Sequence, residues 1–191
     1  GKVLTELIEN DRVISGISNT CGEKAAALYS LLNIKGQCLL TTAATAELVK
    51  LSENAFRDVN IAFANEISVI CESLSINPWE AINLANHHPR VNILQPGPGV
   101  GGHCIAIDPW FIVDSAPDST ELIRAARKVN DAKPGYLARK IITEASKQLA
   151  PVIACLGLSY KADIDDMRQS PAVEVVCQLA ESLNGDEEGK I

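Results

Sequence analysis

The chain has 191 residues, 47% of them apolar, and 17 Lys and Arg stand against 24 Asp and Glu for a formal net charge of −7. That acidic balance argues against nucleic acid or an anionic membrane as the main partner. Neither a signal peptide nor a spanning apolar segment is legible, which points to the cytoplasm. Six cysteines lie scattered without a C-x-x-C pair; by default such residues are small buried hydrophobes of a reducing compartment, and only Cys104, among glycines and beside His103, departs from that pattern. The chain begins at Gly1 and its one methionine is Met167, as expected of a processed product, an excised segment or a partial sequence.

In chain order, residues 3–8 mix apolar and acidic side chains, and 12–17 read as a short strand ending in a turn. Asn19 or Thr20 can cap a helix over 22–32, Gly36 ends it, and 37–41 read as a second strand. These pieces, residues 1–42, resemble the end of an α/β domain. From 45 to 74 there is neither proline nor glycine, and apolar residues recur at helical spacing. A helix of about 30 residues would run about 45 Å, long enough to be a spine between domains or subunits. Asn77 can cap a further helix that starts at Pro78 and runs to Ala85. Beyond the glycine-rich stretch, 107–113 are apolar and 114–119 polar. Ser119 or Thr120 then caps a helix to Asp131, and a separate one follows Pro134 over 135–148. The continuous apolar run 151–158 has the form of a buried parallel strand and opens a new α/β unit. A helix over 171–183 and a polar, frayed end over 184–191 complete the chain. The expected fold is a mainly α central domain, 43–149, with a long spine helix, flanked by partial α/β, Rossmann-like segments at 1–42 and 150–191.

Three stretches can carry chemistry. Residues 95–109 hold four glycines in six positions and deliver Cys104 and then Asp108. Glycine lacks the Cβ that would keep a ligand away from the backbone, so a thiol at the end of this loop is a candidate nucleophile. Gly97, Gly99 and Gly102 also fit the dinucleotide spacing G-x-G-x-x-G, but that motif needs a strand before it and a helix opening within it. Pro96, Pro98 and Pro109 argue against a helix N-terminus there. On the long helix, Lys50 and Asn54 stand at i and i+4. They either belong to a solvated face, with Glu47 paired to Lys50, or present an ammonium and an amide to a ligand oxygen. The segment 86–92 sets His87 and His88 beside Arg90. Adjacent histidines point apart and no zinc spacing recurs, so an arginine-bearing loop for a phosphate or sugar is expected instead of a metal site. The polar residues 160–171 follow the apolar run, at the carboxyl end where open α/β sheets bind ligands.

Taken together, residues 46–58, 97–111 and 157–171 resemble, in order, the motifs of the UDP-glucose/GDP-mannose dehydrogenase family. The segments 88–94 and 108–111 are most like its members that act on UDP-N-acetyl-D-mannosamine; members acting on UDP-N-acetylglucosamine or UDP-glucose are the alternative. The resemblance implies oxidation of a primary alcohol to a carboxylate through two hydride transfers to NAD. It implies Cys104 as the nucleophile that forms a thioester, Lys50 and Asn54 as donors to the oxyanion, and Asp108 as the group that activates water. Arg57, His88, Arg90, Gly101, Tyr160 and Lys161 fall at substrate-contacting positions, and Arg168 at one that meets NAD. His88 and Arg90 would reach a neighbouring subunit's site in a homodimer built on the long helix. Little of a dinucleotide domain is present, so the chain by itself is expected to be inactive. A non-catalytic dimerisation or nucleotide-sugar-binding module is the rival reading.

Overall fold

In the computed structural model, which describes residues 3–32 and 35–184, the backbone separates into two units that part between Glu53 and Asn54. The first unit begins with helix α1 (Val3–Glu9), where no element had been expected. Strand β1 (Arg12–Ile14) pairs in parallel with β2 (Cys38–Leu40), Val13 opposite Leu39, and helix α2 (Asn19–Ser30) makes the crossover that a parallel pair requires. The cap of α2 is Ser18, not Asn19 or Thr20: its Oγ accepts from the Cys21 N–H at 3.3 Å. The turn into α2 needs Gly16, because a Cβ there would lie 2.6 Å from the Cys21 Cβ.

Helix α3 (Ala43–Ser73) is the long helix of the sequence reading, and α4 (Pro78–Ala85) follows with Asn77 accepting from the N–H groups of Trp79 and Glu80 at 2.9 and 3.3 Å. Three expectations for the second unit are corrected. Helix α5 (Asp108–Ser115) opens six residues beyond Gly102, with Pro109 in its first turn, where proline's missing donor costs nothing. The dinucleotide spacing still fails, because no strand precedes the glycines and the helix starts after them. Helix α6 (Glu121–Ala145) runs through Pro134 instead of breaking there. An interior proline costs a helix about 3 kcal/mol, and here Arg127, Asn130, Lys133 and Ala138 are buried on both sides of it, so packing supports the helix across the proline. Residues 151–158 form no strand: Val152 and Leu156 are 93% and 92% exposed. A strand is stable only beside a neighbour, and none of the described residues of this unit supplies one.

The clearest core lies where α6 meets α7 (Pro171–Asn184). Ala138, Val175 and Leu179 are buried there, with Leu137, Ile141, Ile142 and Ile153 against them. The fold is mainly helical, with one two-stranded parallel sheet among the described residues. No described helix is long and apolar enough to cross a membrane. The polar end expected to fray lies, from residue 185 on, outside the described residues.

Candidate active site

The cysteine loop has no regular structure between Val91 and Gly101, so its backbone polar groups depend on side chains. Asn86 brackets Ile93, accepting from its N–H at 2.7 Å and donating to its carbonyl at 2.9 Å. Asn65 accepts from the Gly97 N–H at 2.9 Å. Gly99 and Gly102 sit at φ +138° and +85°, a region that other residues rarely adopt. The loop ends on Cys104, an exposed free thiol whose carbonyl accepts from the N–H groups of Ile107 and Asp108 at 3.1 and 2.8 Å. That turn leads directly into α5.

Asp108 is therefore the first residue of a helix, where the partial positive charge of the unpaired N–H groups favours a carboxylate. Its Oδ2 accepts from the Asn54 amide at 2.5 Å, so two residues 54 apart in the chain, both singled out for catalysis, meet in space. One amide N–H of Asn54 is thereby engaged and the other stays available to a ligand oxygen. Lys50 belongs to the first unit, where it is exposed and pairs with Glu53 at 3.2 Å, not with Glu47.

Gly101 and Gly102 run close against the 160–171 segment. A Cβ on Gly101 would lie 2.5 Å from the Tyr160 Cβ and 2.8 Å from Pro171, and one on Gly102 would lie 3.0 Å from the Tyr160 ring. The side that a substituent would take is filled by the chain's own residues, so these glycines let the cysteine loop seat against the 160–171 segment. Tyr160 is thus brought to the loop, while Lys161 is exposed in the neighbouring bend. Arg168 is held by Asp166 through two parallel bonds, Nε to Oδ1 at 3.0 Å and Nη2 to Oδ2 at 2.7 Å. These bonds, and the nearby His103, bring the Asp166 carboxyl down to about 2. Arg57 is exposed on α3. His88 and Arg90 are exposed on the turn after α4, the His88 Nδ1 accepting from the Arg90 N–H at 3.3 Å.

A buried polar network went unread in the sequence. Asp58, Asn65, Arg127, Asn130 and Lys133 are each at most 6% exposed. Asp58 Oδ1 accepts from Arg127 at 2.6 Å and from the Asn130 amide at 2.8 Å; Asn130 Oδ1 accepts from the Asn65 amide at 2.9 Å. Arg127 also pairs with Asp131, and Lys133 donates to the Asn65 carbonyl at 3.2 Å and to Ser68 at 2.5 Å. Burial pushes the Asp58 carboxyl up, opposed by Arg127 and Asn130, and pushes the Lys133 amine down. The signal was present: Ala55, Asp58, Ala62 and Asn65 share one helical face, so the two polar residues sit between alanines that had to be buried.

The glycines at 97–102 form no dinucleotide cradle, since no strand leads into them, and Arg168 is bonded to Asp166. Nor do three or more described His, Cys, Asp or Glu residues gather where they could hold a metal.

Sequence comparison settles the family. The model of the UDP-glucose/GDP-mannose dehydrogenase central domain matches residues 44–132, and that of the same family's UDP-binding domain matches 154–184. The chain belongs to this family. It is 60% identical over 185 residues to the NDP-N-acetyl-D-galactosaminuronic acid dehydrogenase of Ralstonia nicotianae and 57% identical over 180 residues to the UDP-N-acetyl-D-mannosamine dehydrogenase of Campylobacter jejuni. Those matches take in 97% and 94% of this chain but 44% of each relative, so the chain spans under half their length. Among solved structures, the UDP-N-acetyl-mannosamine dehydrogenase Cap5O of Staphylococcus aureus matches with a TM-score of 0.83 at 43% identity, over all of this chain and 44% of that one. The UDP-D-ManNAc dehydrogenase of Pyrococcus horikoshii matches with 0.86 at 44% identity, over 95% of this chain and 44% of that one.

Proposed function

We propose that these residues form the cysteine and nucleotide-sugar part of a cytoplasmic dehydrogenase that oxidises C6 of UDP-N-acetyl-D-mannosamine to the carboxylate, with NAD as hydride acceptor. The observation that carries this reading is the Asn54–Asp108 hydrogen bond on the turn that presents the Cys104 thiol. In family terms, residues 1–42 are the end of the NAD-binding domain, 43–149 the central domain and 150–191 the start of the nucleotide-sugar domain.

At the aldehyde level, the Cys104 thiolate adds to C6, forming an S–C bond and leaving an oxyanion on the former carbonyl oxygen. Lys50 and the free N–H of Asn54 stabilise that charge. At the thioester level, Asp108 takes a proton from water as the water adds to C6, and the S–C bond then breaks to return the thiolate. Asn54 holds Asp108 in place for this step. NAD is the oxidant that the family supplies, and the glycines at 97–102 form no cradle for it. Tyr160 and Lys161 hold the uridine diphosphate, Arg57 and Gly101 contact the sugar nucleotide, and Arg168 meets the cofactor once Asp166 releases it.

Phe56, Phe63 and Ile70 are 72%, 50% and 45% exposed and recur every seven residues along α3. Such an apolar stripe fits a second copy of the chain packed along this helix, with His88 and Arg90 serving the neighbouring site. The test is a chimera in which this chain replaces its counterpart in the Campylobacter relative. It should form NADH from UDP-N-acetyl-D-mannosamine, and Cys104→Ser should abolish acid formation; turnover unchanged by that substitution would remove the thiol from the mechanism. The Ralstonia relative favours a second reading, a nucleotide-linked N-acetylgalactosamine, so the substrate panel includes that sugar along with UDP-N-acetylglucosamine and UDP-glucose.

A further inference from the structure

We propose that Asn65 and Asn130 are positioning residues for Cys104, forming a one-way amide relay that fixes where the cysteine loop leaves the helices. The relay starts at the Asp58 carboxylate, which can only accept. Asn130 must therefore turn its NH₂ toward Asp58, at 2.8 Å from Oδ1 and 3.0 Å from the backbone carbonyl, and its Oδ1 toward Asn65. Asn65 must then donate to Asn130 at 2.9 Å, which leaves its own Oδ1 for the Gly97 N–H at 2.9 Å. Turning either amide over would set like against like at two contacts in a site where Asp58, Asn65 and Asn130 are 0%, 0% and 1% exposed. An unpaired polar group there costs about 1–3 kcal/mol, so each amide has a single orientation.

The loop meets Asn130 a second time. Pro134 has no N–H for the Asn130 carbonyl four residues before it, and that carbonyl faces Gly99, where a Cβ would lie 3.0 Å away. From there Gly101 and Gly102 pass against Pro171 and Tyr160 to reach Cys104. At Gly99, Gly101 and Gly102 the path from the relay to the thiol thus runs close against a neighbour. The catalytic consequence rests on the proposed role of Cys104 as nucleophile; the relay itself does not.

Two measurements separate the two claims. First, the chain with its other five cysteines replaced by alanine is tagged at Cys104 with a trifluoromethyl label and followed by ¹⁹F NMR. Asn65→Leu should shift or split the single line of the parent. Ser68→Ala, which removes the Ser68 hydrogen bonds to Lys133 and to the Asn65 backbone carbonyl but keeps both bonds of the Asn65 side-chain amide, should leave the line in place. If Asn65→Leu does not fold, Asn65→Asp keeps the acceptor for Gly97, loses the donor to Asn130 and should also move the line. A line unchanged in a folded Asn65 variant, or moved equally by Ser68→Ala, overturns the relay. Second, in the chimera Asn65→Leu should lower kcat by about ten- to a hundredfold with KM little changed, as expected when a reacting group is misplaced by about 1 Å. An unchanged kcat overturns the positioning role. An inactive parent chimera counts against the dehydrogenase reading, while the NMR experiment still decides the relay.

Discussion

Asp58 and Asp166 are each bonded to an arginine, yet their acidities move in opposite directions, because burial outweighs the arginine only at Asp58. Asp166 is at the surface, and Arg168 draws its carboxyl down to about 2. A carboxyl so lowered adds stability above its unfolded value of about 3.9 and loses it as pH falls toward 2. Replacing Arg168 with methionine removes the guanidinium but keeps the backbone N–H that also donates to Asp166 at 3.0 Å, so the Asp166 midpoint, read from its side-chain carbon shift, should rise part of the way toward about 3.9; a midpoint still near 2 would assign the effect to something other than the guanidinium. Asp58 is raised by burial despite Arg127 and Asn130, so its ionisation counts against the fold, and the contribution present in acid is lost as pH rises through its folded value. Arg127→Met would leave that carboxylate buried without a counter-charge, a loss of about 3–5 kcal/mol at neutral pH. Urea unfolding should show this deficit narrowing between pH 8 and pH 4 as Asp58 takes up a proton. A deficit equal at the two values would mean that Arg127 acts through packing alone.

At the scale of elements, the glycines of the cysteine loop separate into those the fold needs and those it does not. A Cβ on Gly101 would overlap Tyr160 and Pro171, whereas one on Gly97 would meet nothing within 4 Å. Gly101→Ala should therefore cost about 1–3 kcal/mol, the usual penalty of overpacking, and Gly97→Ala should fall within about 0.5 kcal/mol of the parent; equal costs would show that the loop does not seat on Tyr160. The sequence made the loop legible as a loop, and its thiol as the chemical group, because four glycines and two prolines leave little else. It could not show what the glycines face, since Tyr160 and Pro171 arrive from about sixty residues further on. Helices α3, α4 and α7 were legible because their ends carry caps or prolines and their interiors keep a helical period. The passage of α6 through Pro134 was not, because its support comes from side chains buried against other elements. The Asp58 network was hidden for the same reason: an aspartate on a helix reads as solvated until its partner, 69 residues later, is in view.

At the scale of the whole chain, the run 151–158 marks the limit of reading a strand from composition. Its apolar residues satisfy every local criterion for a buried strand, but that pattern describes a segment with neighbours on both edges. Here Val152, Cys155 and Leu156 are exposed, and no described N–H from 152 to 158 donates a backbone hydrogen bond. The match to the family's UDP-binding domain begins within this run, at residue 154, and a neighbouring strand would bury it. Amide exchange measured on the 191-residue chain should therefore find 152–158 unprotected while the α6–α7 core exchanges slowly. In the chimera, where the relative's remaining sequence accompanies the chain, protection of 152–158 should rise by at least about tenfold, the effect of some 1.4 kcal/mol of added local stability. The same dependence bears on activity: purified alone with NAD and UDP-N-acetyl-D-mannosamine, the chain should form no NADH. Slow exchange at 152–158 in the isolated chain, together with NADH formation, would mean that these 191 residues complete both the sheet and the cofactor site by themselves, for instance by pairing with a second copy.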